Sequence, residues 1–137
     1  MAADVSPYRV AVVQVPPVVL DRAATLERAV AKIDEAAADG AKLVAFPEAF
    51  VPGYPDWIWR LRPMPDFSRA SEIWGRFLPE TVDLEHDDLG PLRKSARDHG
   101  ITITTGITER DGRFAAICRI GRRSGSRPAA TAVSPKK

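Results

Sequence analysis

The chain has 137 residues, 45% of them hydrophobic and 28% charged, with a formal net charge of +2, a makeup that predicts one soluble globular domain. No apolar run approaches the roughly 20 residues of a membrane span, and the N-terminal MAADVSPYRV lacks the basic and apolar regions of a secretory signal, so a cytoplasmic location is expected. The single cysteine, Cys118, excludes an internal disulfide and has no companions at zinc-finger spacing.

The elements follow in chain order. YRVAVVQV, from Tyr8 to Val15, is β-branched and closed by Pro16 and Pro17, which predicts a buried first strand. Asp21 is placed to cap a helix in which Leu26, Ala29, Val30, Ile33 and Ala37 recur at helical spacing, and Gly40 ends it. LVAF follows as a second strand, apolar enough to predict cover on both faces. A strand, a helix and a strand in this length predict a right-handed crossover between parallel strands. Ser71 to Leu78 and Asp87 to His99 predict two further helices, the second stopped by Gly100, and ITITTGI predicts a third strand. The fold class is therefore α/β.

Charge divides the chain. All 18 acidic residues lie at or before Asp111, and seven basic residues follow it (Arg113, Arg119, Arg122, Arg123, Arg127, Lys136 and Lys137). Residues 8–111 read as the folded part and 112–137 as a basic tail, either without regular structure or read from a shifted frame. Its Arg, Ala, Ser, Gly and Pro are what a GC-rich gene gives out of frame. A genuine basic extension that contacts phosphates is the competing reading, though no aromatic platform beyond Phe114 supports nucleic-acid binding.

The stretch GAKLVAFPEAFVPGYP, Gly40 to Pro55, places a carboxylate, Glu48, at the C-terminal end of an apolar strand and ahead of a Pro-Gly turn. Ligands of α/β folds collect at that edge, and a partly desolvated glutamate there suits proton transfer. Taken alone, a glutamate beside a turn is more often a solvated loop residue than a catalytic one. The stretch resembles, position by position, the nitrilase group of carbon-nitrogen hydrolases: glycine, two residues, two apolar residues, an aromatic before Pro-Glu, then an apolar residue ahead of Gly-Tyr-Pro. DWIWRLRP, with Trp57 and Trp59, is similar to nitrilases more than to amidases of the wider superfamily. RVAVVQVPPVVLDRAATLERAVAKIDEAAADGA and GITITTGITERDG extend the resemblance over about Tyr8 to Gly112.

The resemblance implies a partial α-β-β-α sandwich and a Glu, Lys and Cys acting together on a small nitrile, with no cofactor and no metal. Of the three, only the Glu falls on a matching position, Glu48, with the implied role of general base toward the cysteine thiol. The family's Lys and Cys come from later strands, and the sequence ends before either is due. Cys118, in AAICRIG, lacks the aromatic and acidic neighbours of the family's nucleophile, and Lys136 and Lys137 lack the context of its lysine. Tyr54 and Trp57 resemble substrate-pocket residues, with core packing as the alternative. Trp59 and Trp74 are assigned to packing, and His86 and His99 to solvent. No Gly-x-Ser-x-Gly elbow, phosphate-cradling loop or His pair at metal spacing is present. The expectation is an incomplete nitrilase chain, inactive alone, from a family of homo-oligomers; a noncatalytic partner of a complete nitrilase subunit is the alternative.

Overall fold

The computed structural model describes residues 7–111, 114–122 and 129–131, with side chains for 7–110. Five strands form one sheet in the order β1 (Arg9–Val12), β2 (Ala41–Ala45), β3 (Thr102–Asp111), β4 (Phe114–Arg122) and β5 (Ala129–Thr131). The first three run parallel; β4 and β5 are antiparallel additions. Among the described residues the helices are α1 (Arg22–Ala38), α2 (Trp57–Arg60), α3 (Phe67–Phe77) and α4 (Gly90–His99), with a short 3-10 turn at Leu78–Glu80 after α3.

Helix α1 is the crossover that the sequence predicts. Asp21 accepts a hydrogen bond from Ala24 N–H at 2.8 Å through Oδ1, satisfying one of the donors that a helix N-terminus leaves free. Leu26, Ala29 and Ile33 are buried, and Gly40 turns the chain at a φ of +81° that a larger residue adopts only with strain. The core lies between α1, α4 and one face of the sheet: Ala29 and Ile33 of α1, Leu92 and Ala96 of α4, and Val44, Ile103 and Ile107 of the strands form one apolar cluster.

The register separates the two faces of the sheet. Ala11, Val44 and Ile103 sit in one row across β1, β2 and β3, on the helix side, and Val44 and Ile103 are buried. The neighbouring rows, Val10, Leu43 and Thr102, then Val12, Ala45 and Thr104, belong to the opposite face and are exposed or half-buried. The expectation that both faces of LVAF are covered is corrected here. α1 and α4 pack on one side; on the other, the rows of β1, β2 and the start of β3 stay exposed or half-buried, whereas Gly106 and Thr108 farther along β3 are buried. One helix layer on one sheet is the arrangement expected of a partial α-β-β-α sandwich.

Other boundaries shift. Helix α3 begins four residues before the predicted Ser71, and α4 begins at Gly90, three after Asp87. The hairpin of β3 and β4, with nine residue pairs from Ile103↔Arg122 to Asp111↔Phe114, crosses the line drawn after residue 111. The backbone of 114–122 and 129–131 is strand, at odds with a tail free of regular structure in those positions; the rest of 112–137 lies outside the described residues.

Candidate active site

The site is built on one edge of β3. Three successive segments fill that edge. Phe46 N–H donates to Thr104 O at 2.9 Å and Gly106 N–H to Pro47 O at 3.1 Å, so the ladder begun by β2 runs on to Pro47. It resumes at Val51, whose N–H donates to Gly106 O at 3.3 Å and whose carbonyl accepts from Thr108 N–H at 2.9 Å. Val82 then takes over, donating to Thr108 O at 2.8 Å and accepting from Arg110 N–H at 2.8 Å.

Between Pro47 and Val51, Glu48, Ala49 and Phe50 leave the ladder as a three-residue excursion. Ala49 has a φ of +46°, and the Val51–Pro52 bond is cis. Ala49, Phe50, Val51 and Pro52 are buried, and the Phe50 ring lies 5.0 Å from that of Phe46. The sides of the excursion are thus locked into the core. Glu48 at its start is exposed and, among the described residues, makes no hydrogen bond or ion pair. A partly desolvated carboxylate is not what this chain presents: the backbone of Glu48 lies over the sheet face that carries Thr104 and Thr108, opposite the helices.

Tyr54 and Trp57 follow on the same loop with different environments. Tyr54 is 40% exposed, and its Oη accepts from Trp59 Nε1 at 3.4 Å. Trp57 is 8% exposed and forms an edge-to-face triangle with Trp74 and Phe77, at 5.9 and 5.0 Å, closed by Trp74 and Phe77 at 5.5 Å. Its Nε1 is buried without a hydrogen-bond partner among the described residues. Trp74 packs as expected, whereas Trp59 is 75% exposed and does not. No hydrogen bond joins Tyr54 or Trp57 to Glu48 among the described residues. His86 Nδ1 lies 2.9 Å from Asp83 Oδ2, and His99 Nε2 lies 2.8 Å from Asp34 Oδ1, both at the surface. Cys118 falls on β4, paired with Ile107 of β3, and its side chain lies outside the described residues. An open cavity of about 530 Å³ is lined by Tyr8, Lys42, Leu43 and Thr102 and does not include Glu48.

The carbon-nitrogen hydrolase family profile matches residues 9–124. The chain belongs to the carbon-nitrogen hydrolase family. The match runs twelve residues past Gly112, where the visible resemblance stops, and takes in β4. Among curated proteins the chain is similar to a nitrilase from Bacillus sp. (strain OxB-1), 64% identical over 105 residues, which are 77% of this chain and 30% of that protein. An arylacetonitrilase from Fusarium vanettenii is 43% identical over 103 residues, 75% of this chain and 29% of that protein. An aliphatic nitrilase from Rhodococcus rhodochrous is 40% identical over 105 residues, 77% of this chain and 28% of that protein. The chain thus spans under a third of the length of these relatives.

Among solved structures it resembles the amidase from Nesterenkonia sp. AN1 with acrylamide joined by Michael addition to its active site cysteine. The TM-score is 0.63 at 23% identity, over 85% of this chain and 40% of that one, which establishes the shared α/β fold of this carbon-nitrogen hydrolase. Gly106 and Ala49, the residues that fix the excursion, drew no attention in the sequence. A glycine inside the β pattern ITITTGI was the available signal, since such a glycine marks a close backbone approach.

Proposed function

We propose that this chain supplies the glutamate-bearing part of a nitrilase, an enzyme that converts a nitrile and two waters to a carboxylic acid and ammonia. The supporting observation is Glu48 itself, the one residue of the Glu, Lys and Cys set that falls on a family position, held on a buried-sided excursion at the C-terminal end of β2. The similarity to proteins named as nitrilases over Glu48 and its neighbours supports the same reading.

In the proposed reaction the Glu48 carboxylate accepts the proton of a cysteine thiol, because the thiolate is the nucleophile. Sulfur attacks the nitrile carbon and one π bond becomes the N–H of a thioimidate. Water adds to that carbon, the C–N bond breaks and ammonia leaves, giving a thioester. A second water attacks, the C–S bond breaks, and the acid departs as sulfur regains its proton. A lysine ammonium offsets the negative charge that builds up at each addition. In this reading the cysteine and lysine come from parts of the family outside the match of this chain, and the covalent route needs them beside Glu48. Tyr54, with an exposed phenol, and Trp57 are proposed to line the substrate side.

The purified chain is expected to release no ammonia from an aromatic or aliphatic nitrile. Combined with the part of the Bacillus nitrilase that it does not match, it is expected to support turnover, reduced by about 10²-fold or more in Glu48→Gln, the usual scale of a lost general base. Ammonia release by the chain alone, or equal turnover with Glu48→Gln, overturns the reading. Stable binding of the chain to a complete nitrilase subunit, with no turnover restored to the combined parts, favours the noncatalytic partner instead.

A further inference from the structure

Gly106 carries both anchors of the excursion that presents Glu48. Its N–H holds Pro47 O, the last acceptor before the excursion, and its carbonyl holds Val51 N–H, the first donor after it. The chain between them lies directly on the glycine. A Cβ at position 106 would fall 2.3 Å from Ala49 N, 2.6 Å from Glu48 Cα and 2.8 Å from Glu48 C, all backbone atoms and all inside the 3.0 Å that real Cβ atoms keep. Gly75, by contrast, has nothing within 4 Å of such a Cβ. The left-handed φ of Ala49 belongs to the same tight path.

We propose that Gly106 is a positioning residue for the Glu48 carboxylate. One residue of β3 serves as floor and double anchor, and the absence of a side chain there sets how closely Glu48 approaches the strand. Any larger residue must lift Glu48 Cα and Ala49 N away from the sheet, and a displacement of about 1 Å in a catalytic group is enough to cost on the order of 10²-fold in rate. The proposal rests on Glu48 being the proton acceptor, and its test separates the two claims.

The full chain, labelled with carbon-13 and nitrogen-15, is compared as wild type, Gly106→Ala and Gly75→Ala. In Gly106→Ala the amide signals of residues 48–51 and the carboxyl signal of Glu48 are expected to shift, with at least tenfold faster exchange of the Val51 amide. The amides of Ala29 and Ile33 in α1 should stay in place. Gly75→Ala, with open space, should leave Glu48 and Val51 unchanged. Unmoved Glu48 signals and unchanged Val51 exchange in Gly106→Ala overturn the proposal, even if Glu48→Gln abolishes turnover in the combined enzyme. Shifted signals with turnover that survives Glu48→Gln keep the placement and remove the base role. Should Gly106→Ala fail to fold, the unaltered chain decides: a strong through-space contact from a Gly106 α-proton to the Glu48 α-proton and the Ala49 amide supports the proposal, and its absence overturns it.

Discussion

Thr25 shows how one side chain sets the approach to α1. It is fully buried; its Oγ1 accepts from Val18 N–H at 3.0 Å and lies 2.9 Å from Val18 O and 2.8 Å from Asp21 O, which share its single proton. Thr25→Val keeps the volume but strips partners from buried backbone groups of the turn. The expected loss is about 1–3 kcal/mol, the cost of leaving a buried donor unmet, read from the midpoint of urea unfolding. A change below about 0.5 kcal/mol would mean that water replaces the hydroxyl. The same scale explains what the sequence could and could not disclose at the site. Glu48 stood out because the motif around it is specific; its place at the end of an apolar run alone fits a solvated loop residue as well. Whether it is exposed or partly desolvated was left open, because solvation depends on what covers a face rather than on neighbours in sequence. Trp57 and Trp59 look alike in DWIWRLRP, yet one is buried against Trp74 and Phe77 and the other faces solvent; the direction of a short helix decides between them.

Elements were legible where pattern and punctuation agreed. Helix α1 has an N-cap, a 3.6-residue apolar stripe and a terminal glycine, and it forms where these place it. Helix α3 begins early because Asp66 before it is held by Arg62, whose backbone N–H donates to Asp66 Oδ2 at 2.9 Å, with Arg62 Nε at 3.1 Å, a turn that no apolar period announces. Strands β4 and β5 were hidden by a basic composition that reads as solvated tail. Removing the α1 cap with Asp21→Ala should cost about 1 kcal/mol, measured by chemical unfolding. Surface carboxylates contribute a pH dependence whose sign is fixed. The Arg62 side-chain hydrogen bond lowers the pKa of Asp66, the His86 backbone N–H lowers that of Asp83, and the Lys94 ammonium lowers that of Asp98, all from an ordinary value of 3.8. The unfolded chain therefore takes up these protons first as pH falls. The stabilisation is fully present above about pH 4 and disappears as pH drops through the lowered values. A melting-temperature profile from pH 6 to pH 2 should fall on its acid side, and Asp66→Asn, Asp83→Asn and Asp98→Asn together should flatten that limb. An unchanged limb would place the acid sensitivity in other groups.

At the scale of the whole molecule the helices cover one face of β1 and β2, and the other face of these two strands is exposed or half-buried. Tyr8 is 60% exposed, Val10 46% and Val12 69%, all on or beside β1, which has β2 as its only strand neighbour among the described residues. β-Branched residues normally bury their apolar surface in a sheet, so this contiguous apolar row beside a strand edge unpaired among the described residues is expected to self-associate in water. The family assignment gives the row a reason, since a partial sandwich leaves the inner side of its sheet bare. Val12→Lys places a charge in the row at a position already facing solvent. It should change folding stability by less than about 0.5 kcal/mol while lowering concentration-dependent self-association in sedimentation velocity. Val44, on the opposite face of the neighbouring strand, is fully buried, and Val44→Lys should instead unfold the chain because an unpaired charge cannot be held in the helix-side core. The pair separates surface from core in a single strand register. If Val12→Lys leaves association unchanged, the contact lies elsewhere, and the exposed Trp59, Met64 and Phe67 around α2 and α3 become the surface to alter.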